Sequence, residues 1–230
     1  MAHDIRQDSW KQLAGKEAAR LVQDDMLVGL GTGSTANFFI FALAERVQQG
    51  LRVAGTVSSS RASQELAASL GIPVTTLDIH PELDLYVDGA DEIDPQLQLL
   101  KGAGGALLRE KIVATSSHRF IVIADVTKQV DRLGRKFPVP VETVPFALEP
   151  VRRRLQALGT TPYLRQVDGK TFVTENGNVI LDCAFADGIA NPEELDARLH
   201  AIVGVVETGL FLNIASQVII GGPGGLVRLP

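Results

Sequence analysis

The apolar residues of this chain follow two alternating patterns through the first half of the sequence. One pattern consists of short apolar runs, which are typical of buried strands: MLVGL, LRVAGTV, PVTTL, LDLYV and RFIVIA. The other consists of longer stretches with helical spacing: residues 1–25, ANFFIFALAERV, RASQELAASLG and ALLREKIVAT. Because strands that alternate with helices build βα units, the sequence predicts an α/β fold with a Rossmann-like, mostly parallel sheet.

The pattern changes after Lys136, where FPVPVETVPF carries three prolines in ten residues. Proline removes a hydrogen-bond donor, so this stretch favours a crossing between domains over a central strand. The order beyond it is strand, helix, strand, strand, helix, strand, which is typical of a ferredoxin-like α+β fold. We therefore expect a Rossmann-like domain of residues 1–135 and 212–230 with an inserted lid domain of residues 136–211. Further winding of the first sheet is the alternative.

Composition and charge restrict the class of protein. The chain has 230 residues, 45% of them hydrophobic, which is enough to bury a core, and a net charge of −5. An acidic chain is a poor partner for nucleic acid or an anionic membrane, and no apolar run approaches the ~18 residues of a membrane span. We expect a cytoplasmic protein. The single cysteine, Cys183, excludes an internal disulfide and a cysteine-built metal site.

The segment VGLGTGSTA, residues 28–36, takes a strand through a glycine-rich turn into a helix. Free N–H groups and the positive end of the helix then face one point. The segment lacks the lysine of a Walker loop and the third glycine of a dinucleotide fingerprint. Its Thr32, Gly33, Ser34 and Thr35 predict a neutral cradle for a phosphate; a tight βα turn with a Ser/Thr cap is the alternative.

The segment YVDGADEID places Asp88, Asp91, Glu92 and Asp94 directly after a predicted strand. In a parallel sheet this loop opens at the same carboxyl edge as the glycine-rich turn, where ligands bind. The spacing is not that of a calcium loop, and the four histidines are scattered, so no metal is expected. Asp88 and Asp91 are candidates for proton transfer or hydroxyl binding, since close like charges favour protonation of one of them. Glu92 and Asp94 are expected to be structural.

The segment LLKGAGGALLREKI combines a lysine, three glycines in four residues and a glutamate on the following helix. Lys101 beside exposed backbone N–H groups would stabilise an oxyanion. For Glu110 taken alone, a solvated helix face with Arg109 and Lys111 as charged neighbours is the simpler explanation.

Taken together, GTGST, DGADEI, KGAGGA…REK, ADVTKQVD and TENGNVILD resemble ribose-5-phosphate isomerase, type A, in the family's order and essentially end to end. The resemblance implies interconversion of D-ribose 5-phosphate and D-ribulose 5-phosphate through an enediolate, in the non-oxidative pentose phosphate pathway. It also implies no cofactor, no metal and a homo-oligomer, either a dimer or a tetramer. The catalytic residues that it implies are Glu110 as the base, Lys101, Asp88 and Asp91. The substrate-binding residues are Thr32, Gly33, Ser34, Thr35, Gly89, Ala90, Gly102, Ala103, Gly104, Lys128 and Lys11.

One departure from the family pattern concerns the glycine run, which has Gly-Ala-Gly where the family has Gly-Gly-Gly. If position 103 requires a positive φ, Ala103 would strain the backbone. Two rival functions remain. A sugar-phosphate sensing domain would bind without turnover and would not need the pair Lys101 and Glu110, and an acyltransferase relative would use a glutamate nucleophile.

Overall fold

A computed structural model describes residues 5–230 of the chain. The helices are α1 (Ile5–Ala19), α2 (Ser34–Gln48), α3 (Arg61–Ser69), α4 (Leu107–Thr115), α5 (Leu148–Ala157) and α6 (Pro192–His200), with two 3-10 turns, Val126–Lys128 and Pro145–Ala147. The strands are β1 (Leu27–Leu30), β2 (Gly55–Ser58), β3 (Leu85–Asp88), β4 (Glu92–Ile93), β5 (Leu99–Leu100), β6 (Phe120–Asp125), β7 (Val139–Thr143), β8 (Thr161–Leu164), β9 (Gln166–Val167), β10 (Lys170–Thr171), β11 (Val179–Ala184), β12 (Val205–Thr208), β13 (Leu210–Phe211), β14 (Gln217–Gly222) and β15 (Gly225–Leu229).

The chain divides into two compact units. The first unit contains the described residues up to Ala90 together with Arg109–Lys128 and Ile214–Pro230, and the second contains Asp91–Leu108 and Gln129–Asn213. The sequence predicts domain boundaries at residues 135 and 212. That the chain folds as two domains with these boundaries stays a prediction.

The first unit is built on a six-stranded sheet in the order β15-β14-β6-β3-β1-β2. All neighbouring strands are parallel except the terminal pair β14 and β15. The prediction of a mostly parallel sheet is confirmed, and the run SQVIIGG rejoins it as β14. Helices α1 and α2 pack closely at Gly15, which has no Cβ. A Cβ there would lie only 2.8 Å from the backbone of Phe38 and Phe39. Phe39, Ile40 and Leu43 are fully buried in this core, each stabilising the fold by roughly 1.5–3 kcal/mol.

The second unit contains a four-stranded antiparallel sheet in the order β12-β7-β11-β8, with α5 and α6 in the connections. This is the ferredoxin-like arrangement predicted from the sequence. Val141, Val151, Leu181 and Leu199 are fully buried in its core. Cys183 is buried there too, and burial raises the pKa of its thiol to about 12, which keeps it protonated and inert.

The proline-rich segment contradicts its prediction as a crossing between domains. β7 is a central strand, paired with β11 on one side and β12 on the other, and it contains Pro140. The pairing with β12 ends at Val141, so no N–H is required of Pro140 on that side. Its carbonyl still accepts a hydrogen bond from the N–H of Gly209, at 2.8 Å.

Four further details differ from the pattern analysis. The predicted first helix ends at Ala19 instead of residue 25, and residues 1–4 lie outside the described part. PVTTL forms only an isolated bridge, between Thr56 and Val74. The small sheet β13-β5-β4 and the strand β15 were not predicted. Strands of two residues are too short to produce a hydrophobic period, which explains the small sheet.

Candidate functional site

The glycine-rich turn of the first unit, residues 31–35, joins β1 to α2 as predicted. Gly33 is the N-cap of α2 with φ 99°, and it has no side chain to cap the helix. The N–H groups of the first helical turn therefore point out of the helix end together with its partial positive charge. Ser34 is exposed, and Thr32 and Thr35 are partly exposed. The geometry is that of an anion site at a helix N-terminus.

Asp88 ends β3, the neighbour of β1, and its side chain is fully buried. Its Oδ1 accepts hydrogen bonds from the N–H of Thr32 at 3.0 Å and of Gly89 at 2.7 Å. Its Oδ2 accepts a short hydrogen bond from the hydroxyl of Tyr86. A Cβ at Gly31 would overlap this carboxylate, so glycine is required for the close approach. Asp88 thus fixes the start of the glycine-rich turn.

Tyr86 connects Asp88 electrostatically with Glu110. The ring of Tyr86 is fully buried and stacks on Phe120 with centroids 4.9 Å apart. Burial raises the pKa of the phenol well above its usual value, and the negative charges of Asp88 and Glu110 raise it further. Tyr86 and Asp88 are two residues apart on one strand and share a face, which is the signal that could have identified Tyr86 from the sequence.

Glu110 lies in the first turn of α4 and is only 5% exposed. The interpretation of Glu110 as part of a solvated helix face is therefore wrong. A glutamate is seldom buried to this extent without a specific role or partner.

Two lysines predicted to bind an anion lie in the first unit. The ammonium of Lys11, on α1, lies 3.3 Å from the hydroxyl of Ser34. Lys128 is partly buried in the 3-10 turn that follows β6, and β6 neighbours β3 in the sheet. Gly89 follows β3, and a Cβ there would lie 3.7 Å from Cβ of Thr35. The carboxyl ends of β1, β3 and β6 therefore bring the predicted binding residues of this unit to one edge of the sheet.

The second unit holds the other predicted residues. Asp91 follows Ala90 along the chain, and its Oδ2 accepts a hydrogen bond from the N–H of Ala103 at 2.9 Å. Lys101 follows β5 and is 3% exposed. Its N–H donates to the carbonyl of Gly209 at 2.9 Å, and its ammonium lies 5.5 Å from the ring centroid of Phe211.

The glycine run, residues 102–105, accommodates its alanine without strain. Positive φ values occur at Gly102, 101°, and Gly105, 84°, whereas Ala103 is not among the described non-glycine residues with positive φ. Ala103 and Gly104 are exposed. A Cβ at Gly102 would lie 2.9 Å from Cβ of Leu107, so glycine is needed there for both conformation and space.

Glu92 and Asp94 are structural, as predicted. The buried carboxylate of Glu92 accepts hydrogen bonds from the N–H groups of Gly134, Lys136 and Phe137. Asp94 accepts from two N–H groups of its own turn, both at 2.9 Å. Four acids in one short segment thus divide into two turn-forming residues and two candidates for chemistry.

Neither a metal cluster nor a membrane span is found in the described part of the chain. Among residues 5–230, no three His, Cys, Asp or Glu side chains are arranged to hold a metal ion. No helix within that range is both long and apolar enough to cross a membrane.

The strand orders of the two sheets define a Rossmann-like α/β protein with a ferredoxin-like insertion. The sequence model of ribose 5-phosphate isomerase A (phosphoriboisomerase A) matches residues 55–225. A ribose-5-phosphate isomerase A from Roseiflexus sp. (strain RS-1) is 55% identical over 223 residues, which make up 96% of this chain and 95% of the relative. One from Bacillus mycoides (strain KBAB4) is 50% identical over 216 residues, 94% and 97% of the two chains.

Solved structures agree with these sequence matches. A D-ribose-5-phosphate isomerase in complex with phospho-erythronic acid is similar with a TM-score of 0.94 and 39% identity, covering 98% of this chain and 99% of the other. Ribose 5 phosphate isomerase A from Neisseria gonorrhoeae is similar with a TM-score of 0.91 and 42% identity, covering 99% and 98%. The chain belongs to the ribose 5-phosphate isomerase A family.

Proposed function

We propose that this chain interconverts D-ribose 5-phosphate and D-ribulose 5-phosphate by moving a proton between C2 and C1 through an enediolate, as part of the non-oxidative pentose phosphate pathway. Family membership supports the substrate and the reaction. The single observation that carries the mechanism is the burial of three ionisable side chains on the predicted motifs: Asp88 is 0%, Lys101 3% and Glu110 5% exposed. Buried ionisable groups occur at functional sites and also in structural networks such as that of Glu92, and these three are distinguished by lying on the motifs that the family resemblance assigns to catalysis.

The phosphate would bind at the start of α2. Ser34 and Thr35 offer hydroxyls, and the uncapped helix end offers N–H groups and a partial positive charge. Lys11, 3.3 Å from the hydroxyl of Ser34, supplies the full positive charge that a net acidic chain needs locally. Lys128 is proposed as a second cation for the same group.

Glu110 would remove and return the proton. Glu110 is 5% exposed, so little water competes for the proton that it would transfer. Its negative charge already acts on Tyr86, as does that of Asp88, so the three side chains form one electrostatic cluster.

Lys101 and the N–H groups of Gly102 and Gly104 would stabilise the oxygen on which negative charge develops, since the N–H of Ala103 is directed to Asp91. Asp91 and Asp88 would bind or transfer protons of the sugar hydroxyls, including during ring opening. The reaction moves a proton and passes no electrons to a second substrate, so the proposal includes neither cofactor nor metal. A homo-oligomer and a cytoplasmic location stay predictions from the sequence.

The test is proton NMR of ribose 5-phosphate with the purified protein in D₂O containing EDTA. Appearance of ribulose 5-phosphate, with deuterium entering at the reacting carbons, is the expected result. Substrate that stays unchanged while saturation transfer still detects binding would contradict the proposal and favour a sensing domain. A glutamate that hydroxylamine traps as an acyl derivative would favour an acyltransferase.

The base is tested by Glu110→Gln. Glutamine preserves the shape but cannot take the proton, so turnover should fall by about 10³-fold, within the usual contribution of a general base. Sugar-phosphate binding, measured by calorimetry, should change little. Glu65→Gln, an exposed glutamate of α3, is the matched control and should keep full activity. Near-normal turnover of the Glu110 variant would remove it as the base.

A further inference from the structure

The glycine run of the second unit is held from behind by an arginine that no sequence motif indicated. Nη1 of Arg165 donates to the carbonyl of Gly102 at 2.7 Å and to that of Ala103 at 3.2 Å. Nε donates to Oδ2 of Asp182 at 2.8 Å, and Nη2 donates to Oδ1 of the same carboxylate. Four of the five N–H donors of the guanidinium are therefore used, two on a carboxylate and two on the loop.

The arginine is itself rigidly placed. Its side chain is 12% exposed and that of Asp182 17%, so solvent weakens the pair little. The N–H of Arg165 donates to the carbonyl of Ile180, and its carbonyl accepts from the N–H of Phe172, both at 2.9 Å. The ring of Phe172 lies 6.0 Å from the guanidinium carbon. The guanidinium of Arg165 is therefore held in one position, from which it orients the carbonyls of Gly102 and Ala103.

Because a peptide unit is planar, orienting its carbonyl also orients its N–H group. In a trans peptide the N–H points opposite to the carbonyl of the same unit, and no cis peptide occurs among the described residues. The carbonyl of Gly102 accepts from Arg165 and also from the N–H of Gly105, at 2.9 Å, and this orientation turns the N–H of Ala103 away from the guanidinium and toward Asp91. Fixing the carbonyl of Ala103 in the same way turns the N–H of Gly104 away from the guanidinium.

We propose that Arg165, held by Asp182, is a positioning residue that sets the orientation of two successive peptides and thereby aims the Gly104 N–H and the Asp91 carboxylate at the substrate. The proposal rests on the proposed function, in which this loop stabilises the developing oxyanion. Lysine cannot replace the guanidinium of Arg165. The donors of lysine lie on one atom and cannot bind both oxygens of a carboxylate together with two carbonyls.

The kinetic test compares Arg165→Ala, Arg165→Lys and Asp182→Asn with Arg198→Lys, an exposed ion-pairing arginine of the same unit that serves as the control. Arg165→Ala should lower kcat for ribose 5-phosphate by about 10²-fold, the cost of misplacing a catalytic group by about 1 Å. KM should change less than about threefold, because the loop acts in the transition state more than in the ground state. Arg165→Lys and Asp182→Asn should each lose about tenfold in kcat.

Chemical rescue separates positioning from a general loss of structure. A cavity of about 190 Å³, lined by Asp91, Ala103, Arg165 and Asp182 among others, adjoins the guanidinium. Added guanidinium should therefore restore the kcat of Arg165→Ala by about tenfold, since the same donors return to the same acceptors. If Arg165→Ala does not fold, Arg165→Lys and Asp182→Asn carry the test. Wild-type kcat in either folded Arg165 variant, or an effect confined to KM, would overturn the proposal.

A second measurement keeps this proposal distinct from the proposed function. In ¹⁵N-labelled protein, amide hydrogen exchange of Ala103 should be about tenfold faster in Arg165→Lys than in the wild type, because its bond to Asp91 is loosened. A wild-type protein that does not isomerise ribose 5-phosphate would contradict the proposed function alone. Unchanged exchange at Ala103 would contradict the positioning role alone.

Discussion

The two glycine-rich loops of this protein are held by opposite charges. In the first unit, a buried carboxylate, Asp88, accepts the N–H of Thr32 and so holds residues 31–35 through a donor. In the second unit, a guanidinium, Arg165, holds residues 101–105 through the carbonyls of the loop. The chain thus uses an anionic side chain behind one loop and a cationic side chain behind the other.

This difference in how the two loops are held determines which of their polar groups can bind a ligand. A loop fixed through an N–H binds an anion with hydroxyls, a helix end and nearby lysines, which suits a charge that is present throughout the reaction. In the second loop the N–H of Ala103 is directed to Asp91 and that of Gly105 to the carbonyl of Gly102, whereas the carbonyl contact of Ala103 turns the N–H of Gly104 away from the guanidinium. An N–H group fixed in this way suits a charge that develops only in the transition state, because it needs no rearrangement when the charge forms.

Among the variants that test the two loops, the largest expected effect comes from removing the carboxylate that holds the first loop. Asp88→Ala deletes the acceptor of one buried donor, the hydroxyl of Tyr86, and of two partly buried N–H groups, and each buried donor left unsatisfied costs about 1–3 kcal/mol. We expect the free energy of unfolding to fall by about 3 kcal/mol and kcat/KM by at least about 10²-fold. Urea unfolding and steady-state kinetics measure the two quantities.

The control for this variant is Asp94→Ala, which also removes a buried carboxylate that accepts two N–H groups. It should destabilise the protein by about 1–2 kcal/mol and leave kcat/KM within about threefold of the wild type. If both variants lose activity in proportion to their loss of stability, Asp88 has no role beyond folding.

The fold could be predicted from the sequence wherever elements were long enough to show a period. The βα alternation predicted the parallel strands of the first sheet, though not β15, and the βαββαβ order predicted the four strands of the second. The central strand β7 was missed because Pro140 normally marks an edge, and only tertiary context shows that this position needs no donor. The two-residue strands β4, β5 and β13 carry no period.

The site could be predicted only where local motifs carry the chemistry. Glu110 taken alone was indistinguishable from a surface residue, and its burial became visible only in three dimensions. Arg165 acts on residues 62 and 63 positions away and pairs with a carboxylate 17 positions away, so no local pattern connects them. Residues that orient a loop are thus harder to predict than residues that line it.

The next effect in size tests the backbone of the second loop at neighbouring positions. Gly102→Ala places a Cβ 2.9 Å from Leu107 at a φ of 101°, so it should destabilise the protein by about 1–3 kcal/mol. We expect kcat to fall by at least about tenfold, because the same peptide carries the Ala103 N–H.

Ala103→Gly is the matched control. It should cost at most about 1 kcal/mol and change kcat less than about twofold, since position 103 needs no positive φ. Equal effects at both positions would contradict the described loop geometry.

The smallest expected effect is a pH dependence of the free energy of unfolding that comes from His200 in the second unit. The carbonyl of Gly209 that binds the N–H of Lys101 follows β12, where Glu207 accepts from His200 at 2.9 Å. The side-chain hydrogen bond to Asp196, followed by that to Glu207, raises the pKa of His200 to about 10. The charged imidazole therefore stabilises the folded state.

This contribution is fully present below the ordinary histidine pKa of 6.5 and is lost as pH rises through about 10. The raised pKa of Tyr86 acts in the same direction in the first unit, but its contribution declines only above the ordinary tyrosine value of 10.0. Because the His200 side chain is 39% exposed, solvent screening limits its effect to about 1 kcal/mol or less. Urea unfolding at several pH values between 7 and 9, below the ordinary pKa of 9.0 above which the raised pKa of Cys183 adds a decline of its own, should show a decline that His200→Gln flattens. A wild-type decline with the same slope in the variant would mean that another group titrates and that His200 does not stabilise this end of β12.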